Sequence, residues 1–479
     1  MFIPVIGLEV HAELLTDSKI FCGCSAEFGG DHNTRCCPGC AGFPGTLPML
    51  NKRAVEYAIR AGFTMNCDIN KLTYWDRKNY FYPDLPTAYQ ISQLYLPLCV
   101  NGEVEINVDG QNSKKIRIHQ IHLEEDAGKL VHDDFNNVSL ADYNRGGIPL
   151  IEIVTEPDFS NAEEVKEFIE KISLLLQYAG VCECKMEQGQ LRADVNISLM
   201  RESDTQLGTR AEIKNLNSIK SITRAIEYEI QRQTKILQSG EKVVQETRRF
   251  NENRGTTSSL RSKVDAHDYR YFPDPDIPAV TITQTELDGV KAQLPELPDA
   301  RLERYIDEYK LTPINARILI ADRAISDFFD EAVKSYNKPK SISDFIIVEL
   351  LRRINLGELD ANDIPFSAAE FARLVQAADE QKIAIKNNAK TTLRYMIETG
   401  DSLDKVAEEN GFWIKEDREK LISTIDKILA ENENVVAEYL AGEVKVFGYL
   451  MGQCTKALRG VCTPQSIKKE LEDKLEKLK

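Results

Sequence analysis

From Val5 to Leu14 the chain alternates: Ile6, Leu8, Val10, Ala12 and Leu14 are apolar, and Glu9, His11 and Glu13 stand between them. A period of two is that of a β-strand, so the spacing predicts one strand with three titratable groups on one face and apolar side chains on the other. Runs of the same kind recur as VEINV (104–108), KIRIHQIHL (115–123), PLIEIV (149–154), ADVNISL (193–199) and AVTIT (279–283). Helical periods fill 161–178 and 219–239. This mixture predicts an α+β domain with a mixed sheet. The segment LPELPD (294–299) carries two prolines in six residues, which no helix interior or central strand accepts, and it reads as a hinge. Past it the periodicity is helical, in LERYIDEYK, in one long run over 314–336, in ISDFIIVELLRRI, FSAAEFARLVQAADEQ and KTTLRYMIET, and again in SIKKELEDKLEKLK. Gly400 suits a helix C-cap and Asp401-Ser402 a new start. The expected domains are therefore 1–294, an all-α domain at 295–400, and a small helical tail at 401–479.

The composition narrows the class. A chain of 479 residues is long enough for two to four cores. No apolar run approaches the ~20 residues of a membrane helix, and no leader pattern opens the chain, so a cytoplasmic location with no membrane partner is expected. Eleven cysteines in such a chain are expected to be reduced. The net charge of −16 excludes indiscriminate nucleic-acid binding over the whole surface, but not a local basic one. The last 40 residues form the basic pole, with Lys445, Lys456, Arg459, Lys468, Lys469, Lys474, Lys477 and Lys479 against five acids, and 381–400 carries four cations against one. Such a run is either a solvated helix face or an RNA handle.

Three groups of residues carry candidate chemistry. Cys22, Cys24, Cys37 and Cys40 form two close pairs joined by a short loop, a spacing that can place four thiolates around Zn²⁺. Four sulfurs leave no open position, so this would be a structural clip, with Cys36 as the spare; metal-free cysteines are the plainer alternative. In DRKNYFYPDLP (76–86), Arg77 and Lys78 adjoin Tyr80, Phe81 and Tyr82, cations and flat rings suited to phosphate and base, or simply core packing. Finally, Glu124, Glu125 and Asp126 crowd a strand end, Glu152 interrupts an apolar run, and Arg192, Asp194 and Asn196 share one strand face, as do Arg210, Glu212 and Lys214. A sheet that gathers Glu9, His11, Asp194 and Glu212, with Glu124 and Glu125 near, would form an acidic cradle for a hard cation such as Mg²⁺, flanked by cations for phosphoryl groups. A solvated strand face is the alternative.

The segments IGLEVHAEL, DRKNYFYPDLP, IHLEEDAGKL, NRGGIPLIEIV, RADVNIS, EIKNLNS and HDYRYFPDPDIP, in this order, and FGYLMGQCTKALRG near the end, resemble the signatures of the B subunits of aspartyl/glutamyl-tRNA amidotransferases. The resemblance implies an ATP- and Mg²⁺-dependent carbon–nitrogen ligase. It would phosphorylate the side-chain carboxylate of Glu or Asp misacylated on tRNA, and ammonia from a glutaminase A subunit would then displace phosphate, with a small C subunit holding the pair together. It puts metal ligands at Glu9, His11, Glu124, Glu125, Asp194 and Glu212, and the ATP loop at Lys78, Asn79, Tyr80 and Tyr82. Catalytic roles fall to Glu124, Glu125, Lys78, Arg192 and Lys214, and the four-cysteine zinc site is intact. The chain departs from the family at PTAYQISQ, where many relatives read PKGYQISQ, and at 383–390. The rival reading is a zinc-clipped RNA-binding scaffold whose acids are structural.

Overall fold

In the computed structural model the alternating segment is a strand, β1 (Phe2–Glu13): Ile6, Leu8, Val10 and Ala12 are buried, while Glu9, His11 and Glu13 are half-buried on the opposite face. The structure describes residues 2–108, 112–133, 135–262, 269–383, 386–414, 416–458 and 460–478. Arg459 and Lys479 of the basic pole, His267 and Asp268 of HDYRYFPDPDIP, and Ala384 and Ile385 within 383–390 lie outside the described residues.

β1 sits at the centre of a sheet with β2 (Asp68–Ile69), β3 (Cys99–Val108), β4 (Asn112–Glu125), β5 (Pro149–Thr155), β6 (Leu191–Arg201), β7 (Ala211–Lys214), β8 (Glu246–Asn251) and β9 (Thr256–Ser262). Their order is β9-β8-β7-β6-β1-β5-β4-β3-β2, antiparallel throughout except for the parallel pair β7 and β8. The sheet is mixed, as the alternation of strands and helices implies. Within 279–283, only Val280–Thr281 is a strand, paired with Leu72–Thr73 away from the main sheet.

Helices α1 (Lys52–Thr64), α2 (Ala162–Tyr178) and α3 (Ile219–Gln238) cover the apolar face. Each begins at a side-chain cap, Asn51, Asn161 and Ser218, whose oxygens accept from the backbone N–H of Arg53, Glu164 and Ser221. Ile59, Phe168, Ile172 and Ile226 join Ile6, Leu8 and Val10 in one core, where each such side chain contributes about 1.5–3 kcal/mol by burial. With one face of the sheet committed to this core, the other is left for polar groups.

The chain divides into two compact units, Met1–Pro298 and Asp299–Lys479. The second is helical. The long run over 314–336 is two helices, Pro313–Ile320 and Arg323–Ser335, because the Asp322 side chain accepts from the N–H of Ile325 and starts the chain anew. Gly400 takes the left-handed φ of 69° that closes Lys386–Thr399, and Ser402 caps the next helix, Leu403–Glu409. The described residues of this unit hold two apolar clusters. The first includes Leu403, Val406 and Ala407, with Phe412 and Trp413 packed on it; the second begins at Leu421.

Candidate active site and metal centres

Register decides which acids meet. On β1, Glu9 stands opposite Asp194 of β6, and His11 opposite Glu152 of β5; Glu212 of β7 stands opposite Asn196 of β6. The expected single cradle is two clusters. His11, Glu124 and Glu152 form one and Glu9, Asp194 and Glu212 the other, the ligand atoms of each lying within 4.8 Å of one another.

In the first, His11 Nε2 lies 3.4 Å from Glu124 and 3.6 Å from Glu152, and His122 Nε2 lies 3.1 Å from Glu152. Burial opposes a charged imidazole, yet the hydrogen bond and charge of Glu152, with Glu124 behind it, lift His11 to about 9. Without metal His11 is thus a cation between two acids, and a metal ion would displace its proton. Glu152, an acid that the sequence pattern marks but does not place among the ligands, completes this set.

In the second, Lys214 Nζ lies 2.5 Å from Asp194 and 3.1 Å from Glu212. Asn196 donates to Glu9 at 3.0 Å and the Thr247 hydroxyl to Glu212 at 2.7 Å. Burial, then Glu152 and Glu212, push Glu9 above the usual carboxylate range. The five carboxylates of the two sets outnumber the three basic groups, Lys214, His11 and His122, that touch them. Hard oxygen donors short of counter-charge are what a divalent cation fits.

Glu125 joins neither set. Adjacent strand residues point to opposite sides, so while Glu124 faces the cluster, Glu125 accepts from the N–H of Ile91 at 2.9 Å, and burial lifts it to about 7. Arg192 reaches Asp126 at 2.8 Å; burial, then Asp126, raise Glu13 beside them to about 7.

The segment 76–79 pairs with Tyr89–Ser92 and Phe272–Pro273 in a small three-stranded sheet. Arg77 is held by Asp274 at 2.6 Å and Asp276 at 2.7 Å, and the Asn79 amide donates to the carbonyl of Arg270 at 2.8 Å, so these two shape the loop. Lys78 Nζ sits 5.7 Å from the ring centre of Tyr80 and 5.1 Å from that of Tyr269. Burial, then the charge of Glu152, hold Glu124 above the usual carboxylate range against the opposing charges of His11, His122 and Lys78, and after burial Glu124 is the chief charge raising both Tyr80 and Tyr271. Lys78, Tyr80 and Tyr271 therefore border the first cluster. Tyr82 is exposed, and its side chain has no ring or hydrogen-bond partner among the described residues. In the sequence, Tyr269 and Tyr271 stand out only as part of the YRYF run, with no role attached.

Beside Glu9 the same face continues as a cavity of about 190 Å³ lined by Gly7, Ser198, Thr155, Arg210, Leu207 and Val154. Gly7 is the next position after Glu9 on this face of β1, and Pro157 packs over it: an added Cβ would stand 3.5 Å from Pro157 Cα. Arg210 is exposed there with no acid bound to it among the described residues.

The four cysteine sulfurs also lie within 4.8 Å of one another, the donor set and crowding of a closed tetrahedral zinc site. Cys36 is outside it, its sulfur on the carbonyl of Asn33. A hydrogen bond from Cys22 holds Cys40 down at about 4, which makes one thiolate ready for a metal.

Comparison with known proteins gives the family. Residues 4–288 match the GatB/GatE catalytic domain and residues 327–475 the GatB domain. The chain is 53% identical over 479 residues to the aspartyl/glutamyl-tRNA(Asn/Gln) amidotransferase B subunit of Ruminiclostridium cellulolyticum, covering 100% of this chain and 98% of that one. Identity is 50% over 473 residues with the same subunit of Lachnoclostridium phytofermentans (99% and 98% covered) and 48% over 477 residues with that of Caldicellulosiruptor saccharolyticus (99% of each). An acid-lined sheet face, a cysteine clip and a full-length match thus lead to one assignment: the chain belongs to the family of aspartyl/glutamyl-tRNA(Asn/Gln) amidotransferase B subunits.

Proposed function

We propose that this chain activates the side-chain carboxylate of Glu or Asp misacylated on tRNA by phosphorylation from ATP, and then amidates it, in the cytoplasm, as the B subunit of a complex with a glutaminase A subunit and a small C subunit. The observation that carries this reading is the pair of acidic clusters one strand step apart on a single sheet face. A carboxylate is a poor electrophile because oxide leaves badly. One of its oxygens attacks the γ-phosphorus as ADP leaves; ammonia then attacks the acyl carbon, the C–O bond to phosphate breaks, phosphate departs, and the nitrogen sheds a proton. Magnesium held by His11, Glu124 and Glu152, or by Glu9, Asp194 and Glu212, would neutralise charge on the phosphate oxygens. Lys78 and Lys214 border the two sets and supply fixed cations, and Arg192 stands on β6 opposite His11, the next position after Asp194 on the same strand face. The four cysteines would hold zinc outside the chemistry.

The cavity beside Glu9 suits the phosphate end of the nucleotide, where Arg210 would meet the phosphates. Arg210→Ala is expected to raise the KM for ATP about tenfold, about 1.4 kcal/mol, with the KM for tRNA unchanged. An unchanged KM for ATP removes the nucleotide from this cavity.

The decisive experiment measures ADP release by the whole complex with misacylated tRNA, with and without ammonia. Release that depends on misacylated tRNA supports activation by this chain. Tight tRNA binding with no ADP release supports the scaffold reading.

The second apolar cluster of the helical unit would carry the tRNA handle. Lys445, Lys456, Lys469 and Lys477 are exposed there and make no ion pair among the described residues. A cut at 401 would strip Leu403, Val406 and Ala407 from the first cluster, so the informative truncation ends at Ile414. It is expected to weaken tRNA binding at least about tenfold and to flatten its dependence on salt, because fewer phosphates are neutralised. Equal affinity across a salt series ends the handle idea.

A further inference from the structure

A lysine with no exposed surface stands against the cysteine cluster. Lys19 is completely buried, and its ammonium has two polar partners among the described residues: the carbonyl of Tyr143 at 3.0 Å and the sulfur of Cys40 at 3.7 Å. Among those residues no carboxylate lies within 4.0 Å of it. A buried ammonium is costly unless a negative charge compensates it, and the nearest group able to carry one is the Cys40 sulfur, with Asp84, Glu125 and Asp126 lining the same cavity further off. Four thiolates around a divalent ion carry a net charge of about −2, and one adjacent ammonium halves it.

The lysine is also a strut. Its backbone N–H donates to the carbonyl of Cys24 at 2.9 Å, which fixes it to the first cysteine pair. Its stem lies against Gly147, where an added Cβ would stand 3.5 Å from Lys19 Cδ and 3.9 Å from Cys40 Cβ. Gly147 has a φ of 83° and donates to the carbonyl of Asp126 at 2.8 Å. That turn feeds β5, the strand of Glu152, and abuts the end of β4, the strand of Glu124.

We propose that Lys19 is the charge-compensating outer partner of the four-cysteine metal centre, holding the metal in place and tying the centre to the turn that aligns Glu124 and Glu152. This rests on the zinc reading above. Lys19 donates toward Cys40, draws electron density from its sulfur and lowers that thiolate's reactivity toward protons and electrophiles, as outer hydrogen-bond donors do for bound thiolates. Removing the ammonium leaves the half-buried tetrathiolate centre with its full charge, which weakens its hold on the metal and exposes Cys40 to attack.

The test uses the assembled complex with Lys19→Met, which keeps the length and apolar bulk, and Lys19→Arg, which keeps the charge. Zinc content is measured first, then the rate of zinc transfer to a chromophoric chelator and the rate of Cys40 alkylation by iodoacetamide, read by peptide mass. Lys19→Met is expected to release zinc at least about tenfold faster than the parent and to alkylate faster at Cys40, with Lys19→Arg restoring most of both rates. If Lys19→Met fails to assemble, the comparison of Lys19→Arg with Lys19→Gln serves the same purpose. Zinc bound equally in all proteins and released at one rate overturns the role of Lys19 while leaving the zinc centre intact. A parent protein without zinc, in which Cys40 is alkylated rapidly, overturns the zinc reading itself and the proposal with it.

Discussion

Glu124→Gln is expected to lower amidation by about a thousandfold, whether ammonia comes from glutamine or is added free, and to lower tRNA-dependent ADP release by the same factor. A thousandfold is about 4 kcal/mol, the scale on which one charged group stabilises a phosphoryl transition state. Glu124 is buried and its carboxylate lies within reach of His11 and Glu152, so the neutral amide removes charge where a cation and the transferring group need it. Glu152→Gln should match it, since Glu152 bridges His11 and His122. Glu103→Gln, which touches only the exposed pair with Lys115, is the control and should leave the rate within about twofold. Equal loss of free-ammonia and glutamine-driven rates assigns the defect to activation rather than to ammonia supply. A Glu124→Gln complex that retained more than a tenth of the parent rate would rule out the first cluster as the seat of activation.

Glu229→Ala is expected to destabilise the first unit by about 3–5 kcal/mol. Glu229 is fully buried on α3, where it accepts from Arg232 at 2.9–3.1 Å and sits 3.0 Å from Arg248 Nε on β8; Arg248 also pairs with Glu246. Taking away the carboxylate leaves two guanidiniums facing one remaining acid inside the protein. The network also keeps Arg248 turned inward, so that Thr247, on the other face of β8, can reach Glu212 in the second cluster. Trp75 lies buried in the first unit and Trp413 packs in the second, so with Trp413→Phe in both proteins the fluorescence reports the first unit alone. A shift under about 1 kcal/mol in denaturant unfolding would mean that water enters and solvates the pair.

The clusters explain why some roles are open to reading along the chain and others are not. Glu9 and His11 declare a common face because strand alternation is local, and the cysteine spacing declares a metal clip for the same reason. Adjacency groups Glu125 with Glu124, but adjacency in a strand means opposite directions, and the backbone N–H of Ile91 holds Glu125 there. Glu152 is visible as an acid in an apolar run, yet its partners His11 and His122 lie on neighbouring strands and are joined to it only by pairing. Tyr271 reaches the first cluster from almost two hundred residues beyond Lys78, through a short strand pairing that no local period announces. The long helical period over 314–336 hides a cap at Asp322, because period senses the apolar stripe and not the hydrogen bond that interrupts it.

By itself, the order of residues determined the strand and helix periods, the helix stop at Gly400 and the new start at Ser402, the four-cysteine spacing and the family. All of these depend on neighbours a few positions apart or on the identity of the residues themselves. Tertiary structure alone decided that the acids around His11 divide into two clusters and not one, that Glu125 turns away, that a cavity opens beside Glu9, and that Lys19 ends on a cysteine sulfur. Each of these depends on the order β7-β6-β1-β5-β4 and on its register, in which a slip of one residue would send every polar side chain into the core. That register is set by the summed burial of the apolar face against α1, α2 and α3, a property of the whole unit and of no single segment.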